Sequence, residues 1–199
     1  GRSVVYESRL GTGSHLWKVT RGGSPVQLTS DASFDDSFPR WSPKGGAIAF
    51  NRRATGQPAG ATAIWSMAED GASPSELAPR AGLFSWLRDG SGLAYFSRAD
   101  NQIHLLSLED LSSRPLTSEP GVVQVMAASA DDKWLVYQAM ANGNMDLRAI
   151  PIAGGEPRTV VSTPRNDYHP FIAPSGLWLY FQPDHSNFYR VPGPAQGWR

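Results

Sequence analysis

The sequence predicts an all-β protein, because turn-forming residues and aromatic rings recur along the whole chain. The 199 residues include 20 Gly, 16 Pro and 7 Trp, and 40% of the positions are hydrophobic. This composition favours short strands that are joined by turns and packed through aromatic side chains. The chain is also long enough to bury a sizeable core.

A ten-residue motif with a tight turn at its centre occurs four times. The copies are Trp41 to Phe50 (WSPKGGAIAF), Trp86 to Tyr95 (WLRDGSGLAY), Ala128 to Tyr137 (ASADDKWLVY) and Ile172 to Phe181 (IAPSGLWLYF). With Tyr6 added, the aromatic residues that end the copies stand at positions 6, 50, 95, 137 and 181, which are 44, 45, 42 and 44 residues apart. Such a constant spacing indicates a tandem structural repeat.

Each copy is followed by two further predicted strands. Ala63 to Met67 (AIWSM) is typical of the third strand, and Gly154 to Val160 (GGEPRTV) shows the turn that leads to a short fourth strand. Four short antiparallel strands per period predict the blades of a β-propeller, in which neighbouring sheets bury one another's faces. A β-sandwich also has evenly spaced short strands, but it does not predict one turn motif at one spacing.

The repeat covers the whole chain as a single array of about four to five units. The predicted units are roughly 1–30, 31–79, 80–118, 119–163 and 164–199. The first and last units are incomplete, so a closed ring of four or five blades and a part of a larger ring both remain open. An incomplete ring would expose sheet edges, which predicts either self-association or a longer native protein.

Charge and cysteine content exclude several classes of function. The 18 basic and 18 acidic residues cancel and there is no Cys. Without a cluster of basic residues we expect no nucleic-acid partner, and without an apolar stretch of about 18 residues we expect no membrane insertion. Disulfides and thiolate metal sites are excluded, and the redox compartment stays open.

No motif for catalysis or cofactor binding is found. The Gly-x-Ser-x-Gly elbow of hydrolases does not occur, and the segment 11–14 (GTGS) lacks the Lys-Ser/Thr ending of a phosphate-binding loop. The histidines His15, His104, His169 and His185 have no short pairwise spacing and are assigned to separate repeats. We therefore predict no catalytic residue, no metal site and no cofactor.

The loops before the first strand and after the second strand of each blade gather around the channel mouth, where binding residues are expected. The candidate ligand-binding residues in these loops are Asp36, Arg53, Arg98, Asp167, His169, Asp184 and His185. In the alternative interpretation, the two aspartates that precede a first strand cap turn amides and the histidines are ordinary surface residues.

The segment Asp36 to Phe50 (DSFPRWSPKGGAIAF), followed by AIWSM and Asp70-Gly71, resembles the WD-like repeats of TolB-type propellers. The motif weakens along the chain, for example where Leu87 and Arg88 replace Ser-Pro. The resemblance implies a scaffold whose repeated Trp, Pro and Gly residues are structural. It also implies a bacterial protein in the periplasm or otherwise outside the cytoplasm, with a cytoplasmic location left open.

The hypothesis that follows is a non-catalytic module that binds a protein or peptide, as the sensor or docking part of a larger bacterial protein. The alternative is the propeller domain of a peptidase or of a polysaccharide-acting enzyme, with catalytic residues elsewhere or at the channel mouth. An enzyme would bring several carboxylates or histidines together, whereas a docking module would show a polar rim with aromatic anchors.

Overall fold

The structure is a computed structural model that describes residues 2–10, 13–141 and 143–198, except for the side chains of Leu10, Val125 and Met126. This part of the chain contains 18 β-strands, two short 3-10 helices and no α-helix. The strands form five antiparallel sheets. The chain divides into two compact units, residues 1–82 and residues 83–199, which are described separately.

The first unit contains two sheets. The strands are β1 (Ser3–Leu10), β2 (Gly13–Thr20), β3 (Val26–Gln27), β4 (Phe34–Trp41), β5 (Ala47–Ala54), β6 (Ala63–Ala68) and β7 (Ser75–Ala78), with a 3-10 turn at Ala59–Ala61. The order is β1-β2-β3 in one sheet and β4-β5-β6-β7 in the other. Leu16 of the first sheet packs with Ile48, Phe50 and Met67 of the second, and all four side chains are buried.

The second unit contains three sheets, the first of which begins at the boundary between the units. Its strands are β8 (Ala81–Trp86), β9 (Gly92–Ser97), β10 (Gln102–Ser107), β11 (Ser113–Pro115), β12 (Val122–Ala128), β13 (Trp134–Ala141), β14 (Asn144–Pro151), β15 (Arg158–Val161), β16 (Asp167–Ile172), β17 (Trp178–Pro183) and β18 (Tyr189–Pro192), with a 3-10 turn at Pro194–Gln196. Sheets β8 to β11 and β12 to β15 have four strands, and sheet β16 to β18 has three.

The core of the second unit lies between successive sheets, as the repeat predicts. Ile103 packs with Leu135 and Tyr137 in one buried cluster, and Val136 packs with Leu179 in the next. Adjacent residues of β13 thus pack against different neighbouring sheets, because successive side chains of a strand point to opposite sides of the sheet. This alternation explains why a single strand contributes to two interfaces.

A buried polar side chain also joins two sheets within the second unit. The side chain of Gln138 in β13 donates a hydrogen bond to the carbonyl of Asp167 in β16 (2.6 Å). Because a buried polar group without a partner is costly, this bond helps to fix how these two sheets lie against each other.

The all-β fold class and the four-stranded antiparallel repeat are confirmed. Every copy of the sequence motif forms the tight turn between the first and second strands of a sheet. The segment Val125 to Asp146 has a composition that could suit a helix. Its described residues instead form the end of β12, all of β13, the start of β14 and turn residues between them. No helix in the described part of the chain is long and apolar enough to cross a membrane.

Candidate functional site

Two sheets carry the same bulge in their first strand. The pairing register shifts between Ser37 and Arg40 in β4, and between Tyr168 and Phe171 in β16. Within these bulges Phe38 has φ 51° and His169 has φ 49°, which is the left-handed region that non-glycine residues rarely adopt. Both side chains are exposed. The repeat thus presents a different side chain at the same strained position in each unit.

In the first unit, the candidate Asp36 forms a buried ion pair. It is only 1% exposed, and its two carboxylate oxygens accept hydrogen bonds from Nε (2.7 Å) and Nη2 (2.9 Å) of Arg52. The guanidinium of Arg52 also lies 4.9 to 5.2 Å from the ring centres of Phe34, Phe50 and Trp65. The carboxylate therefore faces Arg52 and not solvent.

The candidate Arg53 lies on an open pocket of about 530 Å³ next to this ion pair. Its Nη2 donates to Asp35 (3.1 Å), which also accepts a hydrogen bond from the amide of Ser14 (3.2 Å). The hydrogen bond from Arg53 lowers the pKa of Asp35, so this carboxyl stays ionised in neutral solution. The remaining lining residues are Glu7, Arg9, Gly13, Ser37, Phe38 and Thr62.

The pocket combines a polar rim with one exposed aromatic ring. Phe38 is 48% exposed and belongs to its lining. Glu7 accepts a hydrogen bond from the hydroxyl of Ser14 (2.7 Å), whereas the side chain of Arg9 is 83% exposed and its contact with Glu7 is long, at 3.9 Å. The carboxylates are thus engaged within the protein, while Arg9 presents most of its guanidinium to solvent.

In the second unit, the candidate Asp167 is buried without a cation opposite it. Pro183 occupies the facing position in the sheet, where Arg52 faces Asp36 in the first unit. The carboxylate accepts hydrogen bonds from the amide (3.1 Å) and the hydroxyl (2.9 Å) of Thr163. Burial raises the pKa of Asp167 because the charged form loses hydration.

Two candidate histidines come together in the same sheet and its turn. The ring centres of His169 and His185 are 5.3 Å apart, and the ring of His185 stacks on Tyr168 at 4.2 Å. The candidate Asp184 accepts a hydrogen bond from the amide of Asn166 (3.2 Å). The assignment of these two histidines to separate repeats is therefore wrong, because both belong to sheet β16 to β18 and its turn.

The last candidate, Arg98, directly follows strand β9, and its guanidinium lies 5.9 Å from the ring centre of Phe96. It stands three residues after the repeated aromatic residue, as do Arg9, Arg53 and Asp184. The sequence reasoning missed Arg9 and Phe38. Aligning the repeats position by position would have found both, because Phe38 aligns with His169 and Arg9 aligns with Arg53.

Among the described residues, no group of three or more His, Asp or Glu side chains is arranged to hold a metal ion. The chemistry that the two units present therefore differs. The first offers paired charges around an exposed aromatic ring, and the second offers two neighbouring imidazoles, of which that of His185 stacks on a tyrosine.

The fold and its repeat define the chain as a β-propeller protein, and comparison with solved structures makes the class more specific. A protein assigned as TolB from Agrobacterium tumefaciens matches with a TM-score of 0.70 and 18% identity over 90% of this chain and 75% of that one. TolB from Acinetobacter baumannii matches with a TM-score of 0.75 and 16% identity over 94% of this chain and 49% of that one. The fold is thus that of a TolB-like β-propeller.

An oligogalacturonate lyase in complex with manganese is also similar, with a TM-score of 0.73 and 19% identity over 94% of this chain and 56% of that one. The chain thus spans three quarters of the Agrobacterium protein and about half of the other two. No family model matches the sequence. At these identities the likeness extends to the fold and not to the function.

Proposed function

We propose that this propeller is a non-catalytic module that binds a protein or peptide segment in the pocket of its first unit. The observation that carries the proposal is the exposed ring of Phe38, which a strained bulge holds at the edge of a polar pocket. Interfaces draw most of their binding energy from a few aromatic or Arg side chains that a polar rim surrounds. Phe38 and Arg9 have these properties.

The expected chemistry of the partner follows from which charged side chains of the pocket already form hydrogen bonds within the protein. Glu7 and Asp35 accept hydrogen bonds from within the protein, and Arg9 is the more exposed cation. A segment with an apolar side chain against Phe38 and a carboxylate near Arg9 would satisfy both, because a guanidinium binds carboxylates through charge-assisted hydrogen bonds. We therefore propose an acidic and apolar peptide as the ligand.

The setting that we propose is a larger bacterial protein in the periplasm or otherwise outside the cytoplasm, in which this chain is the sensor or docking part. Its TolB-like fold supports this setting. The proposal includes self-association through sheet edges as a further mode of binding, because unpaired edge strands are templates for pairing with another chain.

A displayed library of random peptides, selected on the purified chain, tests the docking role. We expect acidic and apolar peptides, and we expect Phe38→Ala to weaken binding of the tightest one by roughly thirtyfold, the loss that about 2 kcal/mol at an interface anchor would cause. Phe171→Ala is the matched control, since Phe171 is also exposed (56%) but belongs to the second unit. Unchanged binding by Phe38→Ala, or an equal loss in the control, would contradict the proposal.

A second candidate function is action on an acidic polysaccharide at the second unit. The likeness to an oligogalacturonate lyase and the closeness of the His169 and His185 rings support it. Incubation of the purified chain with oligogalacturonate, followed by chromatography of the products, tests it. Cleavage that is lost in His185→Asn would favour the enzyme over the docking module, and the absence of cleavage would count against it.

A further inference from the structure

The pair His169 and His185 has a geometry that the docking role does not use. Their ring centres are 5.3 Å apart, and both side chains are exposed. Two imidazole nitrogens that bind one tetrahedral ion at about 2.0–2.1 Å would place their ring centres roughly 5 Å apart. The observed separation therefore suits the chelation of a single ion by both rings.

Hydrogen bonds hold the backbone turn that carries His185 in place. His185 lies in a turn with two backbone hydrogen bonds. The amide of Asp184 donates to the carbonyl of Asn166 (2.8 Å), and the amide of Ser186 donates to the carbonyl of Pro183 (2.9 Å). The side chain of Gln182 also donates to the carbonyl of Ser186 (2.9 Å). The turn that carries His185 is thus tied both to itself and to the segment before β16.

Both histidines of the pair and the adjacent Asp184 have left-handed backbone conformations. The φ angles are 49° at His169, 44° at Asp184 and 56° at His185. Such conformations are uncommon outside glycine, and their clustering is typical of functional sites, where the surrounding structure maintains the strain. Stacking on Tyr168 (ring centres 4.2 Å apart, planes 12° apart) further limits the orientation of the His185 ring.

We infer that His169 and His185 form a two-histidine site for a divalent transition metal ion such as Zn²⁺, Ni²⁺ or Cu²⁺. Imidazole nitrogen suits these ions, whereas Mg²⁺ and Ca²⁺ prefer oxygen ligands. The described residues provide no group of three ligands, so water completes the coordination of the ion. The site does not depend on peptide binding at the first unit, so either proposal can fail without the other.

Calorimetric titration of the purified chain with Zn²⁺ and with Ni²⁺ tests the site. We expect one ion per chain, no binding of Mg²⁺, and a loss of roughly tenfold or more in affinity for His169→Asn and for His185→Asn, because each removes one of two ligands. Asparagine is the chosen replacement because it tolerates the left-handed backbone at both positions. Unaltered circular dichroism of both variants confirms that they fold.

His104→Gln is the matched control. His104 is already bonded to Asp100 (2.8 Å) and Ser113 (3.2 Å), so its replacement should leave the affinity unchanged. Electron paramagnetic resonance of the Cu²⁺-loaded chain should show two nitrogen donors, and one in either single Asn variant. Wild-type affinity in the variant that carries both Asn replacements, or an equal loss in His104→Gln, would overturn the inference.

Discussion

Replacing Arg52 by Met should destabilise the first unit by about 3–5 kcal/mol, the usual cost of removing one partner of a buried ion pair. Asp36 is 1% exposed and the side chain of Arg52 is 10% exposed. Water therefore cannot replace the lost guanidinium unless the packing around β4 and β5 opens. Methionine retains much of the apolar length of Arg52 beneath the three aromatic rings, which limits the contribution of a cavity. The loss should therefore arise mainly from the carboxylate left without its cation.

Urea unfolding followed by tryptophan fluorescence measures this effect, with Asp36→Val/Arg52→Met as the matched control. The double variant removes both charges and should recover most of the loss, because apolar residues often replace a buried ion pair at little cost. Another sheet of the same fold already has an apolar pair here, since Val122 faces Ala139. A loss below about 1 kcal/mol in Arg52→Met, the range of exposed pairs, would refute the reasoning.

Two further predictions concern the second unit. Because burial raises the pKa of Asp167, its protonated form stabilises the fold fully below the unfolded pKa of about 3.9, and this contribution is lost as the pH rises through the raised folded pKa. The free energy of unfolding of Asp167→Asn, measured with urea, should therefore rise relative to that of the wild type as the pH increases from acid to neutral. A difference between the two proteins that stays constant with pH would argue against this. Gly92→Ala should cost about 1–3 kcal/mol through overpacking, because a Cβ atom there would lie 2.2 Å from the carbonyl oxygen of Leu106. Gly60→Ala, where the space is open, should leave the urea midpoint unchanged.

The repeat could be predicted because its residues meet the same packing demand in every sheet. The aromatic residues at the repeated position, such as Phe50 and Tyr137, are fully buried between sheets. The residue before the aromatic residue is small where another sheet of the same unit lies against it, as at Ala94 and Val136, both of which are fully buried. Size and hydrophobicity at a fixed interval are visible in a sequence, so the fold class followed from them.

The candidate site could be predicted only in part. The sequence prediction selected Arg53 and His169 as loop residues, whereas the structure places them in strands β5 and β16. It did not show that Asp36 would face Arg52 across β4 and β5, or that Pro183 would leave Asp167 without such a partner. These relations depend on strand register and on the bulge, which shifts the pairing by a residue. The sequence shows which residues are polar, whereas the register decides which polar residues meet.

The bulges explain how one scaffold can carry two chemistries. Phe38 and His169 share a backbone conformation, a place in the repeat and exposure to solvent, yet one side chain is an apolar ring and the other is an imidazole. The side chain at this position does not pack into the core, so it is free to differ between repeats while the neighbouring Asp36 and Asp167 remain buried. Function in this chain should therefore be sought at the strained positions of the repeat, and not among the aromatic residues that make the repeat recognisable.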